Sequence, residues 1–155
     1  MILVDSNILV YAINRRSPKN TQAEDFLQKF VGNFLVAHQN ILEALRVLTH
    51  PKFPNPMQLN SAIAALQSII NAATIISPDH RTYRITAELI KNYTLKSDQI
   101  FDAYLVATAL VNDVYEIATD NERDFLKIKE IKVINPFKGG EPKALSAVEE
   151  KKRVN

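Results

Sequence analysis

Short apolar runs alternate with longer stretches of helical periodicity along almost the whole chain, and that alternation leaves few folds open. The runs are "ILV" at 2–4, "NFLVAH" at 33–38, "TIIS" at 74–77, "YEIAT" at 115–119 and "IKVINP" at 131–136. Three consecutive apolar residues are too few for a helix and typical of a strand buried on both faces. Between the runs, 8–13, 17–30, 39–50, 57–73, 78–93 and 97–113 read as helices, and 120–128 as a turn with a short helix. Strands alternating with helices predict an α/β fold, a mostly parallel sheet with helices on both faces.

Local signals refine this pattern. Ser17 is a candidate N-cap with Pro18 at the first helical position. The "PKFPNP" segment at 51–56 is a rigid connector, because each proline disfavours helix in the residue before it. There is no internal repeat. At 155 residues the chain is most simply one domain, spanning 1–137. Residues 138–155 open with Lys-Gly-Gly, lose the core pattern and are expected to form a flexible or weakly helical tail.

Composition narrows the function classes. Hydrophobic residues make up 46% of the chain, an ordinary globular fraction. No apolar stretch approaches the ~20 residues that span a bilayer. With no cysteine, disulfides and thiolate zinc sites are excluded. The start lacks a signal-peptide pattern, so a cytoplasmic location is the expectation. The net charge is +2, but residues 138–155 hold five basic and three acidic side chains, which leaves the body neutral. Committing four acids to a cation would turn that body net positive, suited to a polyanion.

Several acids fall where a parallel sheet builds sites, beyond the carboxyl ends of its strands. Asp5 directly follows the first apolar run, and Asp120 and Asp124 follow "YEIAT". Glu43 and Asp102 sit early in helices among apolar neighbours, where they can face the same edge. Taken singly, each has an ordinary reading. Asp5 can cap the helix that follows, Glu43 can be solvated, Asp102 can pair with Arg46, and Asp98 and Asp120 read as caps. Together, clustered carboxylates repel one another until one is protonated or a cation sits between them. Hard oxygen ligands suit Mg²⁺ or Mn²⁺, and Mg²⁺ binds substrate phosphate as well. Metal-dependent phosphodiester hydrolysis is the chemistry such a cluster fits.

Four stretches in order, "LVDSNILVYA", "NILEALRVLTHPKF", "IFDAYLVATAL" and "ATDNERDF…INPF", resemble PIN-domain proteins, particularly VapC-type toxins. The likeness runs from Met1 to about Phe137. It implies a three-layer α/β/α sandwich around a central, mostly parallel sheet and Mg²⁺- or Mn²⁺-dependent endoribonuclease activity on RNA. It also implies a homodimer and, in toxin members, a cognate antitoxin. By that resemblance Asp5, Glu43 and Asp102 are the first three catalytic, metal-binding acids. Asp124, just before Phe125, is chosen as the fourth, with Asp120 as rival. Asn7 matches the family's polar residue beside the metal site and is expected to support Asp5. Asn121 departs from the pattern, since many relatives carry Asp there.

Other residues are read more plainly. His38, His50 and His80 are ordinary surface or boundary residues. Arg15, Arg16 and Arg46 are candidates for phosphate contacts, and Lys19 reads as a solvated charge. A receiver domain or a haloacid-dehalogenase-like hydrolase needs a second acid beside Asp5, and this chain has "DSN" there. The alternative from another class is a PIN-like binding or scaffold protein with little or no catalysis.

Overall fold

The computed structural model describes residues 1–139. The expectations for most of the tail therefore lie outside the described residues. In chain order the elements are β1 (Ile2–Val4), α1 (Ser6–Ile13), α2 (Asn20–Lys29), β2 (Phe34–Ala37), α3 (His38–Thr49) and α4 (Leu59–Ile70). There follow β3 (Thr74–Ile76), α5 (Thr82–Tyr93), α6 (Gln99–Val111), β4 (Glu116–Ala118), α7 (Glu122–Phe125) and β5 (Lys132–Ile134). Every apolar run of the sequence became a strand.

The five strands form one sheet in the order β3-β2-β1-β4-β5, and all four pairings are parallel. Helices cover both faces, as an all-parallel sheet requires. The strand period of two divides the apolar residues between two cores. Leu3, Leu35 and Ile117 pack on one side with α5, α6 and α7. Ile2, Val4, Phe34, Val36 and Ala118 pack on the other with α1, α2, α3 and α4. The result is the three-layer sandwich. From β1 the chain builds outward through β2 and β3, then returns to place β4 on the other side of β1. The order therefore reverses between β1 and β4, where ligands of open parallel sheets bind.

Five helix starts differ from the sequence pattern by two residues or more, and for three of them the local reason is visible. Ser17 does not cap α2: its Oγ accepts from the Lys19 N–H at 3.2 Å and its carbonyl from the Asn20 N–H at 3.1 Å. This turn delays the helix to Asn20. Helix α5 starts at Thr82 and not at Pro78, because the Asp79 carboxylate accepts from the Arg81 N–H at 2.7 Å. The Asp79 N–H in turn donates to Thr82 Oγ1 at 2.8 Å, so side chains compete with the helix for the backbone. Helix α6 starts at Gln99, because Ser97 sits at φ +53, a left-handed conformation that cannot continue into a right-handed helix.

Candidate active site

Asp5 occupies the residue after β1, at the point where the strand order reverses, and is 7% exposed. Its N–H donates to the Ala118 carbonyl at 3.0 Å, which extends the β1–β4 pairing by one residue. Both carboxylate oxygens are engaged. Oδ1 accepts from the Ser6 N–H at 2.7 Å, the Ser6 hydroxyl at 3.3 Å and Asn40 Nδ2 at 3.3 Å. Oδ2 accepts from Thr119 Oγ1 at 2.7 Å and Asn7 Nδ2 at 2.9 Å. Burial pushes the carboxyl pKa up and Glu43 adds repulsion, while the bonds from Thr119 and Ser6 pull it back only in part. Asp5 does cap α1, as one reading of it held, but a cap alone does not account for Asn7, Asn40 and Thr119 converging on it.

Thr119 joins this network to β4. It is fully buried, and besides donating to Asp5 its Oγ1 accepts from Asn7 Nδ2 at 3.0 Å and from the Asn121 N–H at 3.0 Å. Asn7 completes the loop by accepting from the Asp120 N–H through Oδ1 at 3.2 Å. Its position agrees with the supporting role expected of it.

Asn40 is a site residue that the sequence reading missed. It is fully buried, donates to Asp5, and accepts from the Ala37 N–H at 3.3 Å, so it ties the start of α3 to the end of β1. A signal was available. Asn40, Ala44 and Leu48 recur every four residues and are the buried residues of α3, so a polar side chain interrupts an inward-facing stripe.

Asp102 lies in the first turn of α6, where the helix dipole favours an anion. Even so, its pKa is pushed up to about 7. Burial is the largest cause, followed by the negative charges of Asp124, Asp5, Glu43 and Asp98. The other three acids singled out in the sequence are thus all within electrostatic reach of Asp102, where their fields overlap. Glu43 is half-buried, and its Oε1 accepts from Gln39 Nε2 at 2.9 Å. Asp124, on α7, accepts from Asn121 Nδ2. The carboxylates as placed do not make a ready cage: among the described residues no three Asp, Glu or His groups are positioned to hold one cation.

Asp120 behaves differently from its neighbour. Its carboxylate pairs with Lys19 Nζ and accepts from the Tyr11 hydroxyl at 2.9 Å. Burial alone would raise its pKa, yet the bonds from Lys19 and Tyr11 outweigh that and hold it below the usual carboxylate range. The same burial and bond push the Tyr11 hydroxyl up to about 12. Asp120 is therefore not the helix cap it was expected to be. Lys19 is not merely solvated either: its ammonium lies 5.3 Å from the centre of the Tyr11 ring and 5.2 Å from that of Phe137. Asp98 occupies the N-cap position of α6, as expected of a cap, although its side chain makes no capping bond. His38, His50 and His80 are exposed, as expected. Arg15, Arg16 and Arg46 are also exposed, and none forms an ion pair among the described residues.

Comparison with known proteins agrees with this architecture. Residues 2–131 match the family model of the PIN domain. Ribonuclease VapC48 of Mycobacterium tuberculosis is 27% identical over 149 residues, covering 87% of this chain and 97% of that protein. A toxin-antitoxin complex from Klebsiella pneumoniae contains a chain that superposes with a TM-score of 0.64 at 23% identity, covering 88% of this chain and 98% of that one. FitAcB from Neisseria gonorrhoeae superposes with a TM-score of 0.70 at 21% identity, covering 90% and 100%. At those identities the two structures speak for the fold. An all-parallel five-stranded sheet, acids gathered where its order reverses, and a family match over most of the length lead to one conclusion: the chain belongs to the PIN domain family.

Proposed function

We propose that this protein is a metal-dependent endoribonuclease that hydrolyses RNA phosphodiester bonds and acts as the toxin of a type II toxin–antitoxin pair. The observation that carries the proposal is the Asp102 carboxyl, pushed up to about 7 beside Asp124, Asp5 and Glu43. Mutual repulsion of this kind is relieved when a divalent cation is held among the acids. Family membership and the ribonuclease name of the Mycobacterium relative support the same reading.

The residues present fit such a cation. All four candidates are hard oxygen donors, and no cysteine competes. Mg²⁺ commonly binds through one or two carboxylates and keeps several waters, so four splayed carboxylates are compatible with it. Asp5, Glu43, Asp102 and Asp124 would hold Mg²⁺ or Mn²⁺. When bound, the cation supplies charge neutralisation for the scissile phosphate and makes a water more acidic.

The chain's own residues do the rest. Asn7, Asn40 and Thr119 lock the Asp5 carboxylate in one orientation, so it is a fixed anchor. Glu43 and Asp124 each accept a bond from a neighbouring side-chain amide, which orients one carboxylate oxygen and leaves the other for a ligand. Asp102 must lose its proton before it can ligate, so cation affinity should rise with pH through about 7. In the same reading the partners are the RNA substrate, a cognate antitoxin as in the Klebsiella complex, and a second copy of the chain in a homodimer.

The test is cleavage of a mixed panel of structured and single-stranded RNAs with Mg²⁺ or Mn²⁺ and with EDTA. Asp102→Asn, checked for folding, runs beside the wild type. Metal-dependent cleavage lost in the folded variant is the expected result. Equal cleavage by both proteins would sink the proposal. Absence of both cleavage and cation binding would favour the binding-protein alternative.

A further inference from the structure

Gln39 is a half-buried residue in the first turn of α3, and its amide makes an unusual set of bonds. Nε2 donates to Glu43 Oε1 at 2.9 Å, four residues along the same helix, and to the Phe101 carbonyl at 3.2 Å on α6. Phe101 immediately precedes Asp102. One NH₂ group therefore connects the two elements that carry Glu43 and Asp102. Both partners only accept, so the orientation of the amide is dictated: the nitrogen has to face them.

The other half of the amide is left unmatched. Gln39 Oε1 is shielded from solvent and has no hydrogen-bond partner among the described residues. It is the side-chain atom in this condition that the described residues show. Gln39 lines a groove of about 750 Å³ between α3, α5 and α6, whose wall is mostly apolar, including Leu42, Ile90, Phe101 and Tyr104. No donor among the described residues lies within hydrogen-bonding reach of the oxygen. A buried acceptor without a donor is unfavourable, and an unbranched apolar side chain of the same length would avoid it. Local stability therefore argues against glutamine here.

We infer that Gln39 is a positioning residue, which fixes the side chain of Glu43 relative to Asp102 so that both can serve one cation. The inference rests on the reading of Glu43 and Asp102 as cation ligands. Glu43 repels Asp102 and would otherwise swing away from it through its free side-chain torsions. The fork from Nε2 holds Glu43 against the first turn of α6, and the unmatched Oε1 is the structural consequence of aiming the nitrogen there. Partners that orient ligands in this way typically contribute 10–100-fold to metal affinity.

Stability and cation affinity should separate on substitution, which a purely structural link between α3 and α6 would not allow. The experiment measures Mn²⁺ affinity by calorimetric titration and the thermal midpoint in EDTA, on the full chain. It compares the wild type with Gln39→Met, Gln39→Asn and Glu43→Gln. Gln39→Met keeps the length of the side chain and removes both donor and orphan. It should bind Mn²⁺ at least tenfold more weakly, with a midpoint equal to or above that of the wild type. Gln39→Asn keeps an amide but is too short to span both partners, and it should lose affinity in the same way. Unchanged affinity in Gln39→Met would overturn the inference and leave the site reading intact. Affinity and midpoint falling together would also overturn it, in favour of a structural link. No Mn²⁺ binding by the wild type, or none lost in Glu43→Gln, would overturn the site reading and this inference with it.

Discussion

Replacing Asp102 by Asn should make the cation-free protein more stable at neutral pH while removing a ligand of the proposed cation site. The Asp102 carboxyl titrates near 7 in the folded protein, against 3.8 for the unperturbed group. A folded-state pKa raised in this way means that the folded protein holds its proton more tightly than the unfolded chain does. Asp102 therefore costs nothing below about pH 4, costs progressively more as pH rises, and costs most once it is ionised above about pH 7. A shift of about three units would be ~4 kcal/mol if fully expressed. Asp102 is only partly buried, so solvent screening reduces this to roughly 1–2 kcal/mol. For a chain of this size that is a rise of about 2–4 °C in Tm per kcal/mol. The assay is urea denaturation of wild type and Asp102→Asn in EDTA at pH 5 and pH 8. The variant should be the more stable at pH 8, with the difference shrinking towards pH 5. Added Mn²⁺ should reverse the order, because only the wild type gains from ligand binding. A variant no more stable than the wild type at pH 8 would refute the account of Asp102 as a repelled, desolvated carboxyl.

Two other substitutions probe the supports of the site. Thr119→Val keeps the shape but removes the hydroxyl that donates to Asp5 and accepts from Asn7 and Asn121. It should cost about 2–3 kcal/mol in urea denaturation, as expected for buried bonds to a charged group, and a loss under ~0.5 kcal/mol would contradict the network. Lys19→Met keeps the aliphatic stem near Tyr11 and Phe137 but removes the partner of Asp120. The pair is partly exposed, so the loss should be at most about 1 kcal/mol at neutral pH. Because pairing depresses the Asp120 pKa, that contribution is present above the unfolded value and lost as pH falls below about 4. Denaturation midpoints of the two proteins should therefore converge in acid.

The fold was legible because β1 and β2 at its centre are buried on both faces, which writes them into the sequence as unbroken apolar runs bounded by polar residues. Nothing comparable announced where helices begin. Ser17 and Asp79 carry the side chains expected at helix starts, and each spends its bonds on a turn of its own. Ser97 is an ordinary residue by type, and only its backbone conformation separates it from α6. These boundaries depend on which of two local hydrogen-bonding patterns prevails, and residue type fits both.

The site divides along a different line. Asp5 was visible because a carboxylate directly after a buried strand is costly unless something holds it. Its partners were harder to see, since Thr119 and Asn40 are 114 and 35 residues away from it in sequence. Asp120 and Asp124 follow the same strand and were not separable by position. Their difference is set by Lys19, 101 residues from Asp120, which neutralises one acid and leaves the other facing Asp102. A single remote lysine thus gives two acids four residues apart different surroundings. Asp5 can be both a cap and the proposed anchor because its two oxygens have different partners. The Ser6 N–H uses one of its oxygens and Thr119 and Asn7 use the other, so capping α1 and facing the candidate site make compatible demands on one side chain.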